Sequence, residues 1–201
     1  SADVWAPYFS RREIASYRSV AGTGRPELCC AFISSPFNMS SRFQYAEELM
    51  AHMPIASFGS FRRNRSIADD RGSETKLALL HDFSFTLAFE NAIEVDYVTE
   101  KFFDPLMAGT VPVYLGAPNI SEFAPGEDCY VDASEFRTPA ELAKFLQTVD
   151  PARFHRWRQA PLRNTFLEKL ERASISISQQ IVSLVGALRA RKTKLPLPGA
   201  E

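Results

Sequence analysis

The stretch from Phe85 to Gly116, FTLAFENAIEVDYVTEKFFDPLMAGTVPVYLG, decides the fold. An apolar run, Phe83 to Phe89, stops abruptly at the polar pair Glu90-Asn91. A polar turn covers Ala92 to Tyr97, and the pattern predicts a helix from Thr99. Gly109 ends that helix, and a second apolar run, Val111 to Leu115, ends at Gly116. Two short apolar runs joined by a helix form a βαβ unit with parallel strands. The polar residues fall at the carboxyl end of the first strand, where open α/β sheets bind ligands. Thr99 suits an N-cap, Glu100 suits the positive end of the helix dipole, and the free amides of the first turn suit an anion such as a phosphate. Pro105 removes the bond to the Lys101 carbonyl, which predicts a bent or short helix. From this stretch alone, Glu100 and Lys101 read equally well as a solvated pair on an ordinary helix.

Working outward, the 201 residues suffice for one large domain or two small ones. The near-zero net charge gives no basic excess of the kind nucleic-acid binding needs. No apolar stretch is long enough to span a bilayer, and no signal peptide opens the sequence. Cys29 and Cys30 are adjacent in an expected strand and point to opposite faces; with Cys129 they make no disulfide framework. His52, His81 and His155 lack ligand spacing, so no structural metal is expected.

Upstream, Ser1 to Tyr8 and the polar, basic stretch Arg11 to Pro26 read as a remnant and linker. Leu28 to Ile33 reads as a buried strand, and Ser41 as the cap of a helix from Arg42 to His52. With a parallel sheet, Ser34, Arg42, Glu90, Glu100 and Lys101 share one rim. An arginine fork beside an ammonium group and free helix amides suits a diphosphate; taken alone, Arg42 reads as a surface arginine. Ile55 to Phe58 is a short expected strand. Arg62, Arg63 and Arg65 lie in a charged loop that could reach a phosphate or simply be solvated. Asp69-Asp70 and Glu94-Val95-Asp96 resemble the acidic motif of metal-dependent sugar transferases, but neither directly ends a strand. Ser73 is expected to cap a short helix through Leu80, with Glu74 and Lys76 facing water.

Downstream, Asn119 is expected to cap one turn, Ile120 to Phe123, and Cys129 to Val131 to form a strand. Thr138-Pro139-Ala140-Glu141 is a capping box with proline at the first helical position, and that helix runs to about Thr148. Asp150-Pro151 starts another helix with Phe154 and Trp157 on one face. A long helix, Leu162 to Arg189, and a basic tail complete the chain. The expected division is residues 1–26 as remnant and linker, 27–160 as the binding domain, and 161–201 as helix and tail.

The segments Phe85-Thr-Leu-Ala-Phe-Glu-Asn91, Asp96-Tyr-Val-Thr-Glu-Lys-Phe-Phe103 and Ala108-Gly-Thr-Val-Pro-Val113 together resemble the signature of the α1,3/1,4-fucosyltransferase family. Leu115-Gly-Ala-Pro-Asn-Ile120 and Glu122-Phe-Ala-Pro125 are most similar to the branch that fucosylates the core GlcNAc of N-glycans, and Phe154-His-Arg-Trp-Arg158 resembles the family's C-terminal region. The resemblance implies an α/β, Rossmann-like parallel sheet flanked by helices, the C-terminal half of a two-domain GT-B glycosyltransferase. It implies inverting transfer of fucose from GDP-fucose to a GlcNAc-type sugar, with no cofactor and no metal required; the alternative is a nucleotide-binding module without catalytic activity. The family's donor-binding positions fall on Ser34, Arg42, Asn91, Tyr97, Glu100 and Lys101, with Glu90 bracing the site.

Segments like Ser1 to Tyr8 close the N-terminal, acceptor-binding domain in the family. The resemblance therefore implies that this domain, with the general base, lies outside the sequence. Partners are GDP-fucose and a glycan acceptor, with peripheral membrane association a further expectation and no nucleic acid. The family's paired C-terminal cysteines have no counterpart here. That favours a bacterial enzyme, cytoplasmic or peripheral to the inner membrane, over a eukaryotic one on the lumenal side of the Golgi membrane. Asn38, Asn64 and Asn119 head N-x-S sequons, relevant only in a secretory pathway.

Overall fold

The computed structural model describes residues 24–169. Five strands form one all-parallel sheet: β1 (Glu27–Ala31), β2 (Ala56–Ser57), β3 (Phe83–Phe89), β4 (Val111–Leu115) and β5 (Val131–Asp132). Their spatial order is β2-β1-β3-β4-β5. The chain runs outward from β1 to β2, then returns to the other side of β1 and builds outward through β3, β4 and β5. The strand order therefore reverses between β1 and β3, and the loops leaving those two strands part there.

Four helices cover the sheet: α1 (Arg42–His52), α2 (Ser73–Leu80), α3 (Glu100–Ala108) and α4 (Pro139–Thr148). Helices α1 and α4 pack together, as do α2 and α3. Cys29, Leu49, Phe85, Leu87, Val113, Leu142 and Leu146 form the core beneath α1 and α4. On the opposite face, Ala88, Phe102, Phe103, Tyr114 and Phe123 form a second cluster, and Cys30, Leu80, Phe83 and Ala108 a third. Cys29 and Cys30 thus part to opposite faces, as strand alternation requires. Helix α3 spans nine residues with Pro105 inside it, and Gly109 ends it with φ 75°.

Several expectations need correction. β2 is shorter than Ile55 to Phe58, and β5 is displaced beyond Cys129 to Val131. Ser73 is the first helical residue, not the cap; Gly72 holds that position. Lys76 does not simply face water: its Nζ lies 2.7 Å from Asp104 Oδ2, tying α2 to α3. The reason is Asp104, 5% exposed, whose carboxylate is too costly to bury without a partner. Pro151–Gln159 is a 3₁₀ helix whose Phe154 and Trp157 enter different clusters, so this segment serves both faces of the sheet. Asn119 does not cap with its side chain, which is turned toward Asp96. Residues 164–169 are helical. The rest of the expected long helix, the tail and most of the N-terminal linker lie outside the described residues.

Candidate functional site

At the point where the strand order reverses, the loop after β1 (residues 32–41) and the loop after β3 (residues 90–99) are joined through Ser40. Its N–H donates to the Asn91 carbonyl at 3.0 Å, and its hydroxyl to the Glu90 carbonyl at 2.6 Å. Arg42 opens α1 and is 1% exposed. It is no surface arginine: its guanidinium donates to the Phe89 carbonyl at 3.2 Å and the Ser35 carbonyl at 2.8 Å, fastening the end of β3 to the loop after β1. Its Nε is buried with no hydrogen-bond partner in the described residues. Burial lowers its pKa, opposed by the nearby Glu90 and Tyr97. Ser41 does not cap α1 with its side chain; it sits at φ 56°, and Asn38 Oδ1 accepts from the Phe43 N–H at 3.0 Å instead.

The α3 junction is organised by Glu90, which is fully buried. Its carboxylate accepts from the Thr99 N–H at 2.8 Å and from the Thr99 hydroxyl at 3.0 and 2.8 Å. Lys101 Nζ lies 3.5 Å from Glu90, 3.2 Å from Glu100 and 3.0 Å from Thr99 Oγ1. Burial pushes the Glu90 carboxyl above its ordinary range, against the pull of Lys101 and the Thr99 bonds. For Glu100, burial also pushes upward, but Lys101 and Lys76 outweigh it and leave its pKa lowered. A Cβ at position 116 would come within 2.6 Å of Glu90 Cγ, so glycine there permits the close approach of β4's end to this carboxylate.

Asn91 is half-buried, and its Oδ1 has no partner in the described residues. Tyr97 is half-buried at the end of the β3 loop. Ser34 is exposed on the β1 side, where its Oγ accepts from the Ser60 N–H at 3.3 Å. It lines a cleft of about 330 Å³ with Phe32, Phe58, Arg63, Asp70 and Lys76. Lys76 connects that cleft to α3 through its pair with Asp104 and its charge on Glu100. Thus Arg42, Glu90, Asn91, Tyr97, Glu100 and Lys101 gather around the reversal point, and Ser34 lies in the adjoining cleft.

The charged loop is partly spoken for. Arg62 pairs with Glu47, and Arg65 with Glu27 at 2.8 Å, while Arg63 reaches the Gly59 carbonyl at the cleft. Asp69 lies 3.4 Å from Arg71, and Asp70 accepts from the Gly72 N–H at 2.8 Å. Among the described residues no three His, Cys, Asp or Glu side chains converge. Sequence reasoning missed Asn38, Ser40 and Asp104. Only Asp104 carried a signal: an acid beside Phe102, Phe103 and Leu106 on a strongly apolar helix.

A parallel α/β sheet whose strand order reverses above a polar crevice defines a Rossmann-like ligand-binding domain. Residues 23–194 match the model of the C-terminal region of glycosyltransferase family 10 (fucosyltransferase), and the chain belongs to that family. It is 34% identical over 203 aligned positions to a fucosyltransferase-like protein of Arabidopsis thaliana, covering 98% of this chain and 39% of that protein. It is 36% identical to alpha-(1,3)-fucosyltransferase B of Drosophila melanogaster, covering 61% of this chain and 30% of that protein. It is 41% identical to GDP-fucose protein O-fucosyltransferase 3 of Gallus gallus, covering 55% of this chain and 25% of that protein. The chain therefore spans well under half the length of these relatives. A crystal structure of an α1,3-fucosyltransferase with GDP-fucose shares the fold at TM-score 0.55 and 21% identity, covering 81% of this chain and 44% of that one.

Proposed function

We propose that this chain is the donor-binding portion of an inverting α1,3-fucosyltransferase that uses GDP-fucose and delivers fucose to a GlcNAc-type sugar. The observation that carries this reading is the crevice between β1 and β3. There the buried Arg42 opens α1 at the end of the β1 loop, and Lys101 lies in the first turn of α3 at the end of the β3 loop, in a family 10 chain. In this reading Arg42 and Lys101 stabilise the diphosphate as it leaves, without a metal being required. The α3 amides add their dipole, and Glu100 accepts from hydroxyls of the nucleotide or sugar. Tyr97 and Asn91 contact the donor, and Glu90 braces Thr99 and Lys101. The Ser34 cleft, of about 330 Å³, is of a size for the nucleoside.

Residues 27–160 form the donor domain in this reading, with 1–26 and 161–201 flanking it. The general base and acceptor site belong to a preceding domain. Phe37, Met39, Ile93 and Val95, all exposed, stand on the two loops bordering the crevice and offer that domain an apolar rim. The plant and animal origin of the relatives supports the Golgi-lumenal location over the bacterial one. The acceptor is chosen outside this chain in this reading, and a protein hydroxyl stands as a second acceptor class because the chicken relative is a protein O-fucosyltransferase.

Calorimetry with GDP tests the donor site. Lys101→Ala and Arg42→Ala should each lose about 1.5–3 kcal/mol of binding, as for hydrogen bonds to charged groups. Arg62→Ala should lose less, because Arg62 is already paired with Glu47. Unchanged affinity in both site variants, with the fold intact, removes the assignment. A transfer assay with labelled GDP-fucose should find no turnover by this chain alone, since in this reading the base that serves the acceptor belongs to the preceding domain. Turnover that Lys101→Ala abolishes would put the base within these residues.

A further inference from the structure

The loop that carries Tyr97 is held from three directions. The preceding residue, Asp96, lies at φ 62°, a left-handed conformation unusual for a residue with a side chain. Its N–H donates to Asn119 Oδ1 at 3.0 Å, and Asn119 Nδ2 donates back to Asp96 Oδ1 at 3.0 Å. From β4, the Tyr114 hydroxyl donates to the Tyr97 carbonyl at 3.4 Å while accepting from the Ala117 N–H at 2.9 Å. The third hold comes from outside the βαβ unit. Lys169, in the helical turn after Pro161, reaches Asp96 Oδ1 at 2.6 Å and Glu122 at 2.9 Å, with its ammonium 4.6 Å from the Phe123 ring centroid. Phe166, 1% exposed, anchors that turn in the second core cluster.

Lys169 thus closes a network whose other members all lie between the end of β3 and the turn after β4. An exposed ion pair alone contributes little. Here one ammonium is shared by two carboxylates and an aromatic face, and one of those carboxylates belongs to a residue in strained backbone geometry next to Tyr97. We infer that Lys169 is a positioning residue: through Asp96 and Asn119 it fixes the backbone that presents Tyr97 to the crevice, so the segment after the sheet domain sets donor affinity. This rests on the proposed donor site, in which Tyr97 contacts the nucleotide. It also gives the Asn119 sequon a consequence, because a glycan on Nδ2 would replace one of the two hydrogens of the amide that bonds Asp96 and add bulk beside it.

The test uses the full chain, with GDP as the probe. Lys169→Met keeps most of the apolar stem and removes the charge, and should weaken GDP binding roughly three- to tenfold, the range seen when residues act on a site without touching its ligand. Lys169→Arg should restore most of it. In a Tyr97→Phe background, Lys169→Met should add little, since both changes act on one contact. An unchanged affinity, or a loss fully additive with Tyr97→Phe, overturns the inference. Hydrogen exchange in the ligand-free chain reads the clamp without reference to GDP. Amides of Asp96, Tyr97 and Val98 should exchange faster in Lys169→Met, and unchanged exchange also overturns the inference. If the unsubstituted chain binds no GDP, the proposed function fails, and exchange alone decides whether Lys169 orders the loop.

Discussion

The two strand-to-helix junctions at the reversal point have loops of equal length, residues 32–41 and 90–99, yet they handle charge in opposite ways. At the β1–α1 junction a cation is turned inward and held by carbonyl oxygens of Phe89 and Ser35. At the β3–α3 junction a carboxylate is turned inward and satisfied by Thr99 and Lys101. The first arrangement keeps a positive charge fixed just below the crevice floor. The second engages the cap residue's N–H and hydroxyl, and Thr99 in turn takes amides of the first turn, so these are not the free anion-binding groups expected: its Oγ1 accepts from the Lys101 N–H at 3.4 Å and its carbonyl from the Phe102 N–H at 3.1 Å. Together they set Arg42 and Lys101 against Glu90 and Glu100, so the charges at the reversal point stay balanced. Neither junction does this alone.

The largest test of this contrast removes the buried carboxylate. Glu90→Ala leaves the Thr99 N–H and hydroxyl without their acceptor and Lys101 without one of its partners. The chain should lose about 2–4 kcal/mol of stability in urea denaturation, the range for stranding buried polar and charged groups. Glu90→Gln, which keeps one acceptor oxygen, should lose clearly less. Equal losses in the two variants would mean that the side chain matters for packing and not for its oxygens.

The next effect is a pH dependence that only the second junction should show. Burial raises the Glu90 carboxyl above its ordinary value of 4.5. A group raised in the folded state favours folding most below its unfolded pKa, and that contribution fades as pH rises through the folded value. The stability of the unsubstituted chain, measured relative to Glu90→Gln, should therefore fall as pH rises above about 4.5. Asp104 is also raised by burial, but it is common to both proteins and cancels in the difference. A relative stability that climbs with pH would show that Lys101 and Thr99, not burial, dominate at Glu90.

The same contrast explains what was legible in the sequence. The β3–α3 unit announced itself because each of its devices is local: an apolar run, a Thr cap, a proline inside the helix and Gly109 at its end. Phe85, Val113 and Gly109 take the roles their neighbours in sequence predict. The β1–α1 junction was legible only in outline. Arg42 is buried because the Phe89 carbonyl, distant in sequence, lies beside it in the sheet, and no local pattern encodes that pairing. Lys76 read as solvated for the same reason, since its partner Asp104 is on another helix. Asn119 has good cap chemistry, but its amide satisfies both the N–H and the carboxylate of Asp96, which a local cap could not match.

The smallest prediction separates the true cap of α1 from the apparent one. Ser41 occupies the cap position, with chemistry that suits a cap, yet its φ of 56° turns the backbone left-handed and its hydroxyl makes no capping bond. Asn38 reaches in from further back, its Oδ1 accepting from the Phe43 N–H and its Nδ2 donating to Gln44 at 2.8 Å. Asn38→Ala should therefore cost about 1 kcal/mol, the usual value of a lost cap. Ser41→Gly should be neutral, or stabilising by up to about 1 kcal/mol. Relief of a left-handed side-chain residue is worth about 1–2 kcal/mol, and the added freedom of glycine in the unfolded chain takes back about 0.4–1 kcal/mol. Urea denaturation of the two variants side by side decides the matter. A Ser41→Gly variant less stable than Asn38→Ala would return the cap to Ser41 and make the left-handed backbone a consequence of capping. The opposite order would show that this junction borrows its cap from within the loop, just as it borrows the partners of Arg42 from neighbouring carbonyls.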